Sequence, residues 1–160
     1  MITLPDKNTE QGMEARVLLA ECRSPSFAGY SLALATTCMQ FMDLVLWNRV
    51  ADPGPFLAAH ATLRSVVTAR GQFRGFENYP NYNPGIRQNI QDMINIANAK
   101  DKRQADFAAH IQAALDVARL PTIPDPSPGK LVGWRTANAS SPGPGFTFFR
   151  TVLNTDFFFH

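Results

Sequence analysis

The first residue with chemical promise is Glu21, near the end of the apolar stretch VLLAEC and flanked by Ala20 and Cys22. A carboxyl group held against apolar surroundings keeps its proton to higher pH. That is what a general acid needs in order to cleave a glycosidic bond near neutrality. By its position alone the same glutamate also reads as a surface residue on the polar side of a helix. Further along, GQFRGFENYPNYNPG (71–85) sets Phe73, Phe76, Tyr79 and Tyr82 among Gln72, Asn78, Asn81 and Asn83. Flat apolar ring faces beside amides are the mixture that sugar-binding clefts use, so Gln72, Phe73, Asn78, Tyr79 and Tyr82 are candidate ligand contacts. Phe73 and Phe76 read better as anchors holding the loop to the core, while Tyr79 and Tyr82 fit either role. Asp156 stands out among phenylalanines 146, 148, 149, 157, 158 and 159. A lone carboxylate in an apolar strand is costly unless it is paired, faces a cleft or points to solvent.

Other reaction classes lack their residues. There is no glycine-rich phosphate loop, no Gly-x-Ser-x-Gly elbow and no Cys-His pair with a supporting signature. His60, His110 and His160 are scattered singly, and Cys22 and Cys38 have no metal-ligand spacing with them, so neither a metal site nor a cofactor is expected. The two cysteines read as small buried hydrophobes, with a Cys22–Cys38 bridge as the alternative in an oxidising compartment. The balance of 15 basic to 13 acidic residues gives +2, which suggests neither nucleic acid nor a membrane surface as a partner. The longest apolar stretch, Met39 to Val50, is broken by Gln40, Asp43, Asn48 and Arg49, so no membrane span is expected. The opening MITLPDKNTEQGMEAR has no basic start followed by an apolar run, and is expected not to act as a conventional signal peptide.

These residues must be positioned by elements whose periodicity is mostly helical. At 160 residues and 45% hydrophobic content the chain reads as one domain (1–160), with residues 1–10 as a loose lead-in. Met13, Val17, Leu18 and Ala20 have helical spacing up to Ser24-Pro25, which predicts a helix over 11–23. The proline-free run from Gly29 to Val50 is dense in Leu, Ala, Met and Phe and predicts a central, largely buried helix. Phe56 to Ala69 predicts a shorter helix closing at Arg70-Gly71. Ile86–Ala99 and Arg103–Leu120 complete the helical patterns, the second stopped by Pro121. After turn-rich PTIPDPSPGK and ANASSPGPG, the closing FTFFRTVLNTDFFFH predicts two strands joined near Asn154. The fold class is therefore mainly α (α+β), with a small C-terminal hairpin or sheet beside the helices.

Four segments, in order, carry a resemblance: ARVLLAECR (15–23), LVLWNRV (44–50), SVVTARGQF (65–73) and LNTDFFF (153–159). Together they resemble the spore-cortex-lytic, SleB-like family of bacterial cell wall hydrolases. That family shows an alanine-rich helix ending in Gly/Ala-Glu-Ala-Arg, then Val-Leu-Asn-Arg-Val, then Val-x-x-x-x-Gly-Gln-Phe, and finally Ile-Gly-Asn-His-x-Phe-Tyr. The resemblance implies a lysozyme-like fold that cuts between N-acetylmuramic acid and N-acetylglucosamine in peptidoglycan, by lytic transglycosylation or by hydrolysis. It places the acid/base glutamate at Glu21. Transglycosylation needs only this one carboxyl group, whereas hydrolysis needs a second, for which Glu77, Asp156 and Glu14 are the candidates. The chain departs from the pattern at Cys22, Ser24-Pro25, Asp156 and Phe159, and its linker before Asn48-Arg49-Val50 is longer, which marks a divergent member.

A wall-cutting enzyme without a signal peptide needs another route to its substrate. The expectation is an antibacterial effector, made in the cytoplasm, acting in the periplasm or wall of a target bacterium and held in check by a cognate immunity protein. A phage endolysin is the alternative route. A sugar- or protein-binding module that kept the fold and lost the reaction is the non-enzymatic rival. An amidase or peptidase would need zinc ligands or a Cys-His pair, which the sequence does not supply.

Overall fold

The computed structural model describes residues 1–52 and 62–160. Five helices and a three-stranded antiparallel sheet stand among these residues: α1 (Glu10–Glu21), α2 (Leu32–Ala51), α3 (Leu63–Val67), α4 (Pro84–Asn98), α5 (Gln104–Arg119), β1 (Leu131–Thr136), β2 (Thr147–Val152) and β3 (Thr155–Phe159). The fold is mainly α with a small sheet near the C-terminus, in agreement with the sequence pattern.

Local chemistry sets the helix ends. Thr9 caps α1 by accepting from the Gly12 N–H, and α1 closes two residues before its predicted end, leaving Glu21 as its last residue. Ser31 caps α2 through the Leu34 N–H, so α2 starts three residues after Gly29, whose φ of +84° does not suit a helix. Of the helix expected over 56–69, residues 56–61 lie outside the described part. The remainder is the single turn α3, begun by a Thr62/Ser65 capping box. Asn83 and Pro84 start α4, an arrangement that suits proline because its missing N–H would be unbonded there anyway.

α2 is the central element, touching α1, α3, α5, β1 and β2. Ala35, Cys38, Met39, Met42 and Leu46 along it are fully buried. The sheet order is β1-β3-β2, with β3 in the middle. Leu153 and Asn154 join β2 to β3 with φ of 46° and 58°, the two positive values that a tight hairpin turn requires. Phe157 of β3 meets Phe41 of α2 edge-on at 5.2 Å, seating the sheet on the core. At the far end of α2, Asn48 donates to the Leu131 carbonyl and the Arg49 Nε–H to the Val132 carbonyl, which fixes β1 against the helix.

The lead-in is not loose, which corrects one expectation. Asn98 pairs with the Ile2 backbone through both its donor and its acceptor, and Ile2 and Leu4 pack on the core. Arg16 also donates to the Pro5 carbonyl. Gly12 is where this segment crosses α1: a Cβ there would stand 1.9 Å from the Asp6 carbonyl oxygen. Gly12→Ala, although it favours the helix by about 1 kcal/mol, is expected to destabilise the protein by about 2 kcal/mol net through overpacking. The urea midpoint of the variant measures this, and an unchanged or raised midpoint would show that the lead-in moves aside freely.

Cys22 and Cys38 are both buried and free. The neighbouring Cys38 thiol and burial push Cys22 up, and the Cys22 thiol donates to the Arg23 and Ala35 carbonyls. His110 is fully buried on α5, with its Nδ1 at 3.0 Å from the Tyr30 hydroxyl, and burial lowers its pKa to about 4. His60 lies outside the described residues.

Candidate functional site

Glu21 ends α1 where that helix meets β1, and the Trp134 indole N–H donates to its carboxylate at 3.2 Å. Burial raises the pKa of Glu21, and the Trp134 bond opposes this by favouring the charged form. No neighbouring carboxylate or arginine contributes to the shift.

Two clefts meet at Glu21. One, of about 490 Å³, is walled by residues after α1 and by α4, including Arg23, Ser24, Phe27, Ile86, Asn89, Asp92 and Ile96. The other, of about 330 Å³, is lined by Arg23, Gln72, Arg74, Trp134, Arg135, Thr136, Asn154 and Thr155. Ala20, Glu21 and Arg23 line both. A third cleft, of about 350 Å³, continues past Gln72, Trp134 and Arg135 to Arg49 and Phe146. The result is three adjoining clefts, with Glu21 where the first two meet and Asp92 on the α4 wall of the first.

A relay of contacts fixes Trp134. Its ring lies 5.2 Å from that of Phe73, and the Arg49 guanidinium sits 5.5 Å over the Phe73 ring. Arg49 in turn donates to the Gln72 side chain at 2.9 Å and to Val132. Residues from three of the four segments quoted above therefore meet around Trp134: Glu21, Arg49 and Gln72-Phe73. The fourth contributes Asn154 and Thr155 to the cleft lining.

The sequence candidates separate into those at this junction and those elsewhere. Glu21 and Gln72 line the cleft. Phe73 is buried behind Trp134, so it supports the site and does not offer a ring face to a ligand. Tyr79 and Tyr82 are corrected from ligand contacts to core: each is 6% exposed, and they stack on one another and on Phe76 with centroids 5.5 to 6.2 Å apart. The aromatic load of the loop holds its own shape, because a loop with this much backbone to anchor needs buried rings. Asn78 is exposed on the same loop, where its carbonyl accepts the Asn81 N–H, and it lines neither cleft beside Glu21.

The second-carboxylate candidates are likewise occupied elsewhere. Glu77 accepts the Gly75 N–H at 2.7 Å and closes a turn in the loop. Asp156 accepts from the Thr151 hydroxyl and the Asn138 N–H on the sheet. Glu14 is 1% exposed, buried beside Asp43 and Trp47. It sits two helical turns before Glu21, roughly 10 Å along the axis.

Sequence reasoning missed Trp134, Arg23, Arg74, Arg135 and Asp92. Trp134 had a signal, as a single tryptophan in a short strand, but only the fold brings it to Glu21. Among the described residues no group of three or more His, Cys, Asp or Glu side chains is arranged to hold a metal ion, and no helix is long and apolar enough to cross a membrane. Compared with protein-family models, with curated proteins and with solved structures, the chain matches none.

Proposed function

We propose that this chain cleaves the glycan strands of peptidoglycan by lytic transglycosylation, with Glu21 as general acid and then general base. The observation that carries the reading is a single, burial-raised carboxyl group at the junction of two clefts, served by one fixed donor. A raised pKa keeps Glu21 protonated for its first task, transfer of the proton to the bridging oxygen. The departing sugar leaves a carboxylate, which the Trp134 N–H stabilises. That carboxylate then removes the proton from the muramyl C6 hydroxyl as its oxygen attacks C1, which closes a 1,6-anhydro ring and restores the acid. Hydrolysis by either stereochemical route needs a second carboxyl group within about 5 to 9.5 Å; Glu14, Glu77 and Asp156 are committed elsewhere, and Asp92, the other carboxylate lining the α4 side of the cleft, accepts from the Gln88 amide one turn before it.

The products test the reading. Isolated peptidoglycan incubated with the purified protein should release anhydro-muropeptides, identified by mass. Hydrated reducing ends would replace transglycosylation with hydrolysis, and release of nothing would leave a binding module.

Trp134 gives a prediction with a definite sign. Because its N–H lowers the pKa of Glu21, Trp134→Phe should raise it and move the alkaline limb of the pH–rate profile to higher pH. Loss of the fixed orientation should also lower kcat/KM at the optimum by roughly tenfold. An alkaline limb that stays in place or moves to lower pH would remove Trp134 from the proton-transfer machinery.

A further inference from the structure

We propose that the Trp134 side of the cleft holds the carboxylate-bearing muramyl sugar and the α4 side holds the uncharged sugar; this rests on the peptidoglycan reading above. The charge along the cleft is one-sided. Arg74 and Arg135 line the 330 Å³ half and not the α4 half, Arg23 lines both, Arg135 and Arg49 line the continuation, and Glu21 is the sole acidic residue lining the 330 Å³ half and its continuation. The whole chain carries 15 basic and 13 acidic residues, so this concentration is local and not a consequence of bulk charge.

The Arg23, Arg74 and Arg135 guanidinium groups form no ion pair with the carboxylates of the described residues. Of the ion pairs among the described residues, Arg103–Asp101 and Arg119–Asp116, neither includes Arg23, Arg74 or Arg135. Arg135 stands directly across from Asp156 on β3, yet its guanidinium donates to Ser140 and Ser141 oxygens, and Asp156 is bonded to Thr151 and Asn138. Nor do the arginines act on Glu21, whose shift comes from burial and Trp134. Guanidinium groups gathered in a concave site attract carboxylates more strongly than on an open surface. The opposite half sets Asp92 beside Phe27, Ile86, Met93 and Ile96, and its one cation, Arg23, lies over the Phe27 ring at 5.1 Å, so this half suits a neutral ring better than an anion.

In peptidoglycan the two alternating sugars differ in this respect. Muramic acid carries a lactyl carboxyl group, free or extended by a peptide with its own carboxylates, and N-acetylglucosamine carries no charge. An arginine-lined half therefore fixes on which side of Glu21 the muramyl sugar lies. With the muramyl ring on the Trp134 side, its C1 and C6 hydroxyl are the reacting groups of the anhydro closure.

The experiment uses three glycans: intact strands, strands stripped of peptides, and stripped strands with every lactyl carboxylate converted to a neutral amide. Amidation should raise KM for the native protein about tenfold with little change in kcat, the size of one lost charge-assisted hydrogen bond. The Arg74→Gln/Arg135→Gln double variant should raise KM about tenfold on both charged glycans and leave it unchanged on the amidated one. Preference for intact over stripped strands would assign the carboxylates to the peptide, and equal use would assign them to the lactyl group. Equal KM for charged and amidated strands, or an equal effect of the double variant on both, overturns the proposal. Should no glycan be cut, binding of the same strands, followed by tryptophan fluorescence, separates the two failures. Charge-dependent binding then keeps the anion site and ends the cleavage reading, and charge-independent binding or none ends both.

Discussion

Glu21→Gln is expected to lower the rate of strand cleavage by about 10³-fold, within the range that general acid–base groups contribute, and to leave the protein at least as stable as before. The amide has the shape of the carboxyl group and can still accept from the Trp134 N–H, but it has no proton to give the bridging oxygen and no basicity to take one from the C6 hydroxyl. Both half-reactions therefore fail at one substitution. The stability argument has its own sign. Burial raises the folded-state pKa of Glu21 above 4.5, so folding takes up a proton between those two values, and stability falls as pH rises through that window. A glutamine does not titrate and escapes that loss. Product release and thermal unfolding, measured side by side near neutral pH, check both halves. Activity within tenfold of the native protein would remove Glu21 from the reaction, and a large fall in unfolding temperature would assign it a structural role.

The helices were legible in the sequence because each signal is local. The apolar spacing of Met13, Val17 and Leu18 and the stop at Pro121 act within one or two turns, whereas α4 begins at Pro84, two residues before the expected Ile86, because Asn83 caps it. The hairpin was legible as well, since Leu153-Asn154 is a two-residue join between aromatic runs. The third strand's place was not: β1 comes before β2 in the chain yet pairs with β3, and nothing in a strand's own residues names a partner beyond the next strand along the chain. The lead-in was misread for the same reason, because Asn98 and Tyr79 hold it from distant parts of the chain.

The site shows the same division. Glu21 was visible as a carboxyl group in an apolar helix end. Tyr79 and Tyr82 look identical in sequence whether their rings face a sugar or Phe76, and the stack that decides it depends on a turn closed by Glu77 and Gly75. The arginines were invisible as a group. Arg23, Arg74 and Arg135 come from a helix end, a loop and a strand, and only the fold sets them around one cleft.

Glu14→Gln is expected to stabilise the protein, by an amount that grows with pH. Glu14 on α1 and Asp43 on α2 are 1% and 3% exposed, and Glu14 Oε1 and Asp43 Oδ1 have no hydrogen-bond partner. Burial, then the neighbouring Asp43, raises the pKa of Glu14 to about 10, while the Trp47 indole offsets part of this. Burial also raises Asp43, and the proton held by Glu14 is what its carboxylate bonds to. The unfolded chain releases the Glu14 proton near 4.5 and the folded chain keeps it to about 10. Stability is thus fully present below 4.5 and declines through that window at up to about 1.4 kcal/mol per pH unit. His110 works in the opposite direction, since its pKa falls from 6.5 to about 4 and its contribution is lost as pH drops through that interval. The two effects separate above pH 7, where His110 is neutral in both states. From pH 7 to pH 9 the native protein should lose up to about 3 kcal/mol on account of Glu14, and the glutamine variant, which keeps a donor to Asp43 without titrating, should lose much less. Urea unfolding of both proteins at the two pH values measures the difference. Parallel losses would mean that Glu14 is ionised in the folded state and that the pair is held by something other than a shared proton.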